Sequence, residues 1–155
     1  MEIRVAESKE ELDEIKSLIE QYHLELNEDL CFQNFSKEMD EFPGKYSPPS
    51  GFCLGAYQEN EIVGCVCLRK FDQDAGEVKR LYVTPQGRGK KTGFLLMTAL
   101  IEKAKTMGYK KLLLDTLQRL EAANKLYEKL HFREITPYYH NPIPDVIYWE
   151  LNLQD

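Results

Sequence analysis

The chain has 155 residues, 26 of them acidic and 20 basic, for a formal net charge of −6. That length suits a single domain with one core, residues 1–155, and the acidic balance argues against nucleic-acid binding, which needs a basic face to displace counterions. No apolar run approaches the roughly 20 residues that span a bilayer, and the first residues, MEIRVAESKEELDEIKSL, lack a signal peptide's apolar core, so a cytoplasmic protein without a membrane partner is expected.

Ile3–Val5 reads as a short first strand. Ser8 and Glu11 have capping-box spacing, and Leu12, Ile15, Leu18, Ile19, Tyr22 and Leu26 recur at helical intervals, predicting an amphipathic helix to about Asn27. A second short helix is expected over 36–42, and the Pro- and Gly-rich stretch 43–51 is a loop. Phe52–Tyr57 and Ile62–Phe71 form a hairpin about Glu59-Asn60-Glu61, and Glu77–Val83 follows the turn at Asp72–Gly76. Leu96, Leu100, Ala104 and Met107 make a helical stripe that Gly108 terminates. Lys111–Thr116 returns to strand, and Leu120, Ala123, Tyr127 and Leu130 mark a last helix. His131–Ile135 and Val146–Leu153 are strands around a Pro-rich turn at 137–144. The order β-α-α-β-β-β-α-β-α-β-β defines an α/β domain with a mixed sheet.

Cys31, Cys53, Cys65 and Cys67 form no C-x-x-C pair and the three histidines are scattered, so no metal site is expected. Cys65 and Cys67, two apart in an apolar run, read as small buried hydrophobes on one strand face.

The chemistry concentrates in Leu81-Tyr82-Val83-Thr84-Pro85-Gln86-Gly87-Arg88-Gly89-Lys90-Lys91-Thr92-Gly93, which joins a strand to a helix. Glycines let a ligand approach the backbone, and the first N–H groups of a helix have no intrahelical partner, so the loop suits a phosphate or pyrophosphate. The cations Lys79, Arg80, Arg88, Lys90 and Lys91 cluster nearby, as a solvated charge run or as the setting for a small polyanion. A Walker A loop is excluded, because Lys91 follows Gly89-Lys90 and Thr84 stands where the first glycine belongs. Gly87, Gly89 and Gly93 miss the dinucleotide spacing G-x-G-x-x-G by one position.

Arg88-Gly89-Lys90-Lys91-Thr92-Gly93 instead resembles the Arg/Gln-x-x-Gly-x-Gly/Ala loop of the GNAT acetyltransferases, with Lys91 in place of the central glycine. Glu77–Pro85 resembles the family's fourth strand. Leu126-Tyr127-Glu128-Lys129-Leu130-His131-Phe132 resembles its L-Y-x-x-x-G-F segment, with His131 where glycine is usual. The tail from Pro137 resembles a bacterial subgroup of undefined acceptor. The resemblance implies a mostly antiparallel mixed sheet flanked by helices and direct transfer of acetyl from acetyl-coenzyme A to a small-molecule amine. Homodimers are common in the superfamily that the chain resembles, and the sequence leaves the oligomeric state open.

The same resemblance implies the site residues. Backbone groups of Leu81, Tyr82 and Val83 would lie along the pantetheine, with the Val83 amide facing the thioester oxygen. Arg88, Gly89, Lys90, Lys91, Thr92 and Gly93 would cradle the pyrophosphate. Tyr127 would contact the cofactor and protonate the departing thiolate, although on periodicity alone it is a core tyrosine. An asparagine common seven residues before that tyrosine is Leu120 here. Glu77, six residues before Val83 and so on the same strand face, is either a general base or a solvated residue at a strand start. Tyr138, Tyr139 and His140 either border the acceptor pocket or pack a turn. A protein that retains the loop without turnover, an acyl-coenzyme A sensor, is the alternative function.

Overall fold

The computed structural model describes residues 1–26 and 34–154. The strands are β1 (Glu2–Val5), β2 (Phe52–Gln58), β3 (Glu61–Lys70), β4 (Ala75–Val83), β5 (Lys111–Leu117), β6 (Arg133–Ile135) and β7 (Val146–Asn152). The helices are α1 (Lys9–Leu26), α2 (Phe35–Glu41), α3 (Thr92–Thr106) and α4 (Glu121–Lys129). All seven strands join one sheet in the order β1-β2-β3-β4-β5-β7-β6. Every pairing is antiparallel except β4–β5. The mixed, mostly antiparallel sheet is as expected, and so is the element order; the end of the first helix near Asn27, and Cys31, lie outside the described residues.

Local chemistry explains the elements. The Glu11 N–H donates to Ser8 Oγ and the Ser8 N–H to Glu11 Oε1, each at 3.1 Å, closing the capping box that starts α1. Glu59 and Asn60 both have positive φ, and Gln58 pairs with Glu61, a two-residue turn whose twist matches its strands. Gly108 ends α3 at φ +93°, where a side chain would be strained.

Two cores sandwich the sheet. On one face Leu96, Leu100 and Ala104 of α3 are fully buried against Leu54, Val66, Val78 and Leu112. On the other, Ile15 and Ile19 of α1 cover Cys53, Cys65, Cys67 and Tyr82. The three thiols are buried, Cys67 Sγ lies 3.4 Å from Cys53 Sγ, and burial pushes the Cys65 and Cys67 thiols well up, as packed apolar groups require.

The feature that makes room for a site is the divergence of β4 from β5. They pair only over Ala75–Glu77 and Lys111–Leu113, after which the strands separate. A bulge accompanies the separation: Cys67 opposes Lys79 while Cys65 opposes Tyr82, so β4 carries one extra residue, and Arg80 sits there at φ +63°.

Candidate active site

The separated strands wall a cleft of about 680 Å³, inside the range of ligand sites. β4 contributes Leu81, Tyr82 and Val83, α4 contributes Ala123 and Tyr127, and the loop after β4 contributes Arg88, Gly89, Lys91, Thr92 and Gly93. Among the described residues no backbone hydrogen bond is made by the N–H groups of 89–94, so several donors cluster at the α3 N-terminus. Gly89 has φ +76°, and a Cβ built on it would meet nothing within 4 Å, so the backbone there is open to a ligand. The Thr92 side chain serves the loop itself, because its buried hydroxyl donates to the Gly87 carbonyl at 2.7 Å and closes the turn.

Two of the three substitutions that set this chain apart from the family pattern, those at Lys91 and His131, fall on positive-φ positions, while Leu120 has φ −84°. Lys91 has φ +61° and His131 φ +73°, both conformations that glycine adopts freely and that cost a side chain about 1–2 kcal/mol. The Lys91 backbone thus keeps a glycine-like turn at the N-cap of α3. The Lys90 side chain leaves the site, Nζ donating to Gln58 Oε1 at 3.0 Å, and it does not line the cleft. The Arg88 side chain is at the cleft, where Nε donates to the Val83 carbonyl at 3.1 Å and the guanidinium pairs with Glu25 of α1. Glu25 also accepts from the Tyr82 hydroxyl at 2.6 Å. Burial and this carboxylate push the Tyr82 hydroxyl up to about 12, so the hydroxyl stays protonated at neutral pH.

Tyr127 is buried, packs on Phe132 and Trp149, and lines the cleft. Its hydroxyl makes no hydrogen bond among the described residues, and burial pushes its pKa well above the ordinary value, so it stays protonated at neutral pH. It also lines a narrow space beyond the cleft together with Lys79, Arg80, Asp115 and Asn141. Lys79 and Arg80 line in turn a third cavity, of about 380 Å³, with Glu38, Arg69, Glu77, Tyr139 and His140. The three spaces are neighbours: Tyr127 lines the first two, and Lys79 and Arg80 line the second and third.

The bulge overturns one expectation. Counting from Glu77 to Val83 puts both on one face, but the extra residue in β4 inverts the alternation: Val83 packs with the α3 core, while Glu77 and Lys79 flank Val78 and point the opposite way. Glu77 is only 3% exposed, so it is no solvated strand start either. Its carboxylate accepts from Arg69 Nε at 2.9 Å and the Tyr138 hydroxyl at 2.7 Å, with Lys79 Nζ at 3.6 Å. Tyr139 and His140 border the same cavity.

Several contacts here gave no signal in the sequence. Arg80 makes a bidentate pair with Glu38, at 2.8 and 3.0 Å, that ties α2 to the bulge. Burial opposes charge at both groups, yet each partner outweighs it, holding the Arg80 guanidinium above and the Glu38 carboxyl below their ordinary values. Burial likewise raises Asp115, but Lys79 at 3.1 Å and the Tyr139 hydroxyl bring it below the usual carboxylate range. Asn124 sews α4 to the sheet, its amide nitrogen donating to the Leu117 and Leu120 carbonyls and its oxygen accepting from Trp149 Nε1 at 3.0 Å. Among the described residues no cluster of His, Cys, Asp or Glu is disposed to hold a metal, and no helix is long and apolar enough to cross a membrane.

A cleft of that size with unpaired backbone donors at one end suits a ligand that carries a phosphate. Residues 12–132 match the Acetyltransferase (GNAT) family, and the chain belongs to that family. An uncharacterized N-acetyltransferase of Schizosaccharomyces pombe is 41% identical over 146 residues, covering 93% of this chain and 90% of the relative. An N-acetylaspartate synthetase of Mus musculus is 31% identical over 109 residues, 69% of this chain but 36% of that longer protein. A GNAT acetyltransferase of Elizabethkingia anophelis, solved with acetyl-CoA bound, superposes with a TM-score of 0.62 at 26% identity over 75% of this chain and 82% of its own. The protein is an acetyltransferase.

Proposed function

We propose that the protein transfers the acetyl group of acetyl-coenzyme A directly to a primary amine of a small-molecule or amino-acid-like acceptor. The observation that carries this reading is the position of Tyr127, which lines both the cofactor-sized cleft and the narrow space bordered by Lys79, Arg80 and Asp115. Acetyl-coenzyme A in the solved relative supports the donor, and the name of the N-acetylaspartate synthetases supports an amino-acid acceptor.

In this reading the pyrophosphate lies on the N–H groups of Gly89 to Gly93, where the α3 dipole adds to them. The pantetheine extends a strand beside Leu81–Val83 on the edge that β5 leaves open. The amine nitrogen attacks the thioester carbon, the C–N bond forms, and the Val83 N–H stabilises the oxyanion. The C–S bond then breaks, and the Tyr127 hydroxyl gives its proton to the thiolate. The amine's proton leaves on the acceptor side, where Glu77 is the acceptor. Two cations and a hydroxyl already surround that carboxylate, so a water molecule carries the proton to it.

Replacing Tyr127 by phenylalanine tests the reading, because it keeps the packing and removes only the hydroxyl. Turnover, followed as free thiol released from acetyl-coenzyme A, is expected to fall by roughly 10² or more while cofactor affinity changes little. Unchanged turnover in a folded variant would return Tyr127 to a packing role.

A further inference from the structure

The cavity on the acceptor side has a charge composition that none of the family features explains. Five cations line it, Lys45, Arg69, Lys70, Lys79 and Arg80, against two carboxylates, Glu38 and Glu77. Asp115, behind Lys79, adds a third acid. Each of the three acids is committed: Glu38 to Arg80, Glu77 to Arg69, and Asp115 to Lys79. Tyrosine hydroxyls fill the remaining positions, Tyr46 on Glu38, Tyr138 on Glu77 and Tyr139 on Asp115. Lys45 and Lys70 are left over. Both are exposed, and neither makes an ion pair among the described residues. The cavity is therefore cationic inside an acidic protein, with its buried acids neutralised and its mouth positive.

That balance selects a substrate. A polyamine or another polycationic amine would bring like charge into a site whose carboxylates are already taken. An amine that also carries carboxylates would find two mobile lysines at the rim and the Arg69 and Arg80 guanidinium groups within. The same field favours the neutral amine over its ammonium form, the form that attacks a thioester being the neutral one. We infer that the acceptor is an acidic amino acid, an α-amine with two carboxylates, held by its carboxylates in the cavity between α2, β4 and the turn at Tyr139–His140. The cavity volume of about 380 Å³ admits a molecule of that size with water. The inference rests on the acetyltransferase reading for the role of the amine, but not for the binding of the anion.

Two measurements separate these parts. The first is thiol release from acetyl-coenzyme A with L-aspartate, L-glutamate, L-asparagine, L-glutamine and spermidine as acceptors. The acidic amino acids should exceed their amides by about tenfold or more in kcat/KM, and spermidine should be the poorest. The second is calorimetric titration of L-aspartate and L-asparagine into the protein saturated with coenzyme A, which reads the anion site whether or not turnover occurs. Charge reversal at the rim, Lys45→Glu together with Lys70→Glu, touches no buried contact. It should weaken aspartate binding about fivefold or more and leave the affinity for acetyl-coenzyme A unchanged. Aspartate binding without any turnover would keep the anion site and sink the enzymatic role. Turnover with spermidine or asparagine equal to that with aspartate would keep the enzyme and overturn the anionic acceptor. Failure of aspartate both to bind and to react, or indifference of its binding to the double charge reversal, would also overturn it.

Discussion

Glu38→Gln is the perturbation whose size the structure determines most tightly. Glu38 and Arg80 meet in two hydrogen bonds, at 3.0 and 2.8 Å, with side-chain exposures of 15% and 7%. Glutamine keeps the shape and one acceptor oxygen but leaves the guanidinium buried without a counter-charge. Two unit charges about 4 Å apart attract by roughly 4 kcal/mol at an effective dielectric of about 20, and breaking one side of a buried pair costs about 3–5 kcal/mol. The retained acceptor places the loss near the low end, about 3 kcal/mol. For a chain of this size that lowers Tm by roughly 6–12 °C. The control is Glu25→Gln, which breaks the Arg88 pair, where both side chains are nearly half exposed, at 49% and 44%. There the cost should be about 0–1 kcal/mol. Urea unfolding of both variants at pH 7 gives the two numbers side by side. A loss below about 1 kcal/mol for Glu38→Gln, or equal losses in the two variants, would refute the view that the β4 bulge is anchored through a desolvated ion pair.

Replacing Lys91 by glycine should stabilise the protein by about 0.5–1 kcal/mol, because φ +61° strains a lysine and suits a glycine; destabilisation in urea titration would contradict this. Glu38 and Asp115 both have folded pKa values below their unfolded ones, so their stabilisation is present above about pH 4 and is lost as pH falls further; an unfolding midpoint in urea that is flat between about pH 5 and pH 2.5 would oppose it. Glu77→Gln should cost most of the turnover near neutral pH and recover in part at higher pH, where more amine is already deprotonated; the parent's profile and rate would leave Glu77 only its structural ion pairs.

Much of the fold was legible because periodic burial writes itself into sequence. The stripe Leu96, Leu100, Ala104 and the capping box Ser8–Glu11 each have a local cause, and each appears where its spacing puts it. The loop from Arg88 to Gly93 was legible because strand, turn and helix N-terminus follow one another in the chain, and the cleft wall at Leu81–Val83 through the resemblance to the family's fourth strand. What failed was the counting of faces across Arg80. A bulge needs only one residue with positive φ, and arginine gives no warning of it. The charged cluster was hidden for a different reason: Glu38, Arg69, Glu77, Asp115 and Tyr139 come from five separate segments, and only the tertiary fold brings them together. Lys90 shows the limit of reading a motif by side chain, because the loop contributes backbone donors while its lysine turns to Gln58.

The central claim is that coenzyme A occupies the gap between β4 and β5 with its phosphates on the α3 N-terminus. Backbone amide resonances followed by NMR during a coenzyme A titration test it directly. The largest shifts are expected at Gly89–Phe94 and Leu81–Val83, with little change at Glu2–Val5 on the far edge of the sheet. No shift at millimolar coenzyme A, or shifts that leave Gly89–Phe94 unmoved, would contradict it.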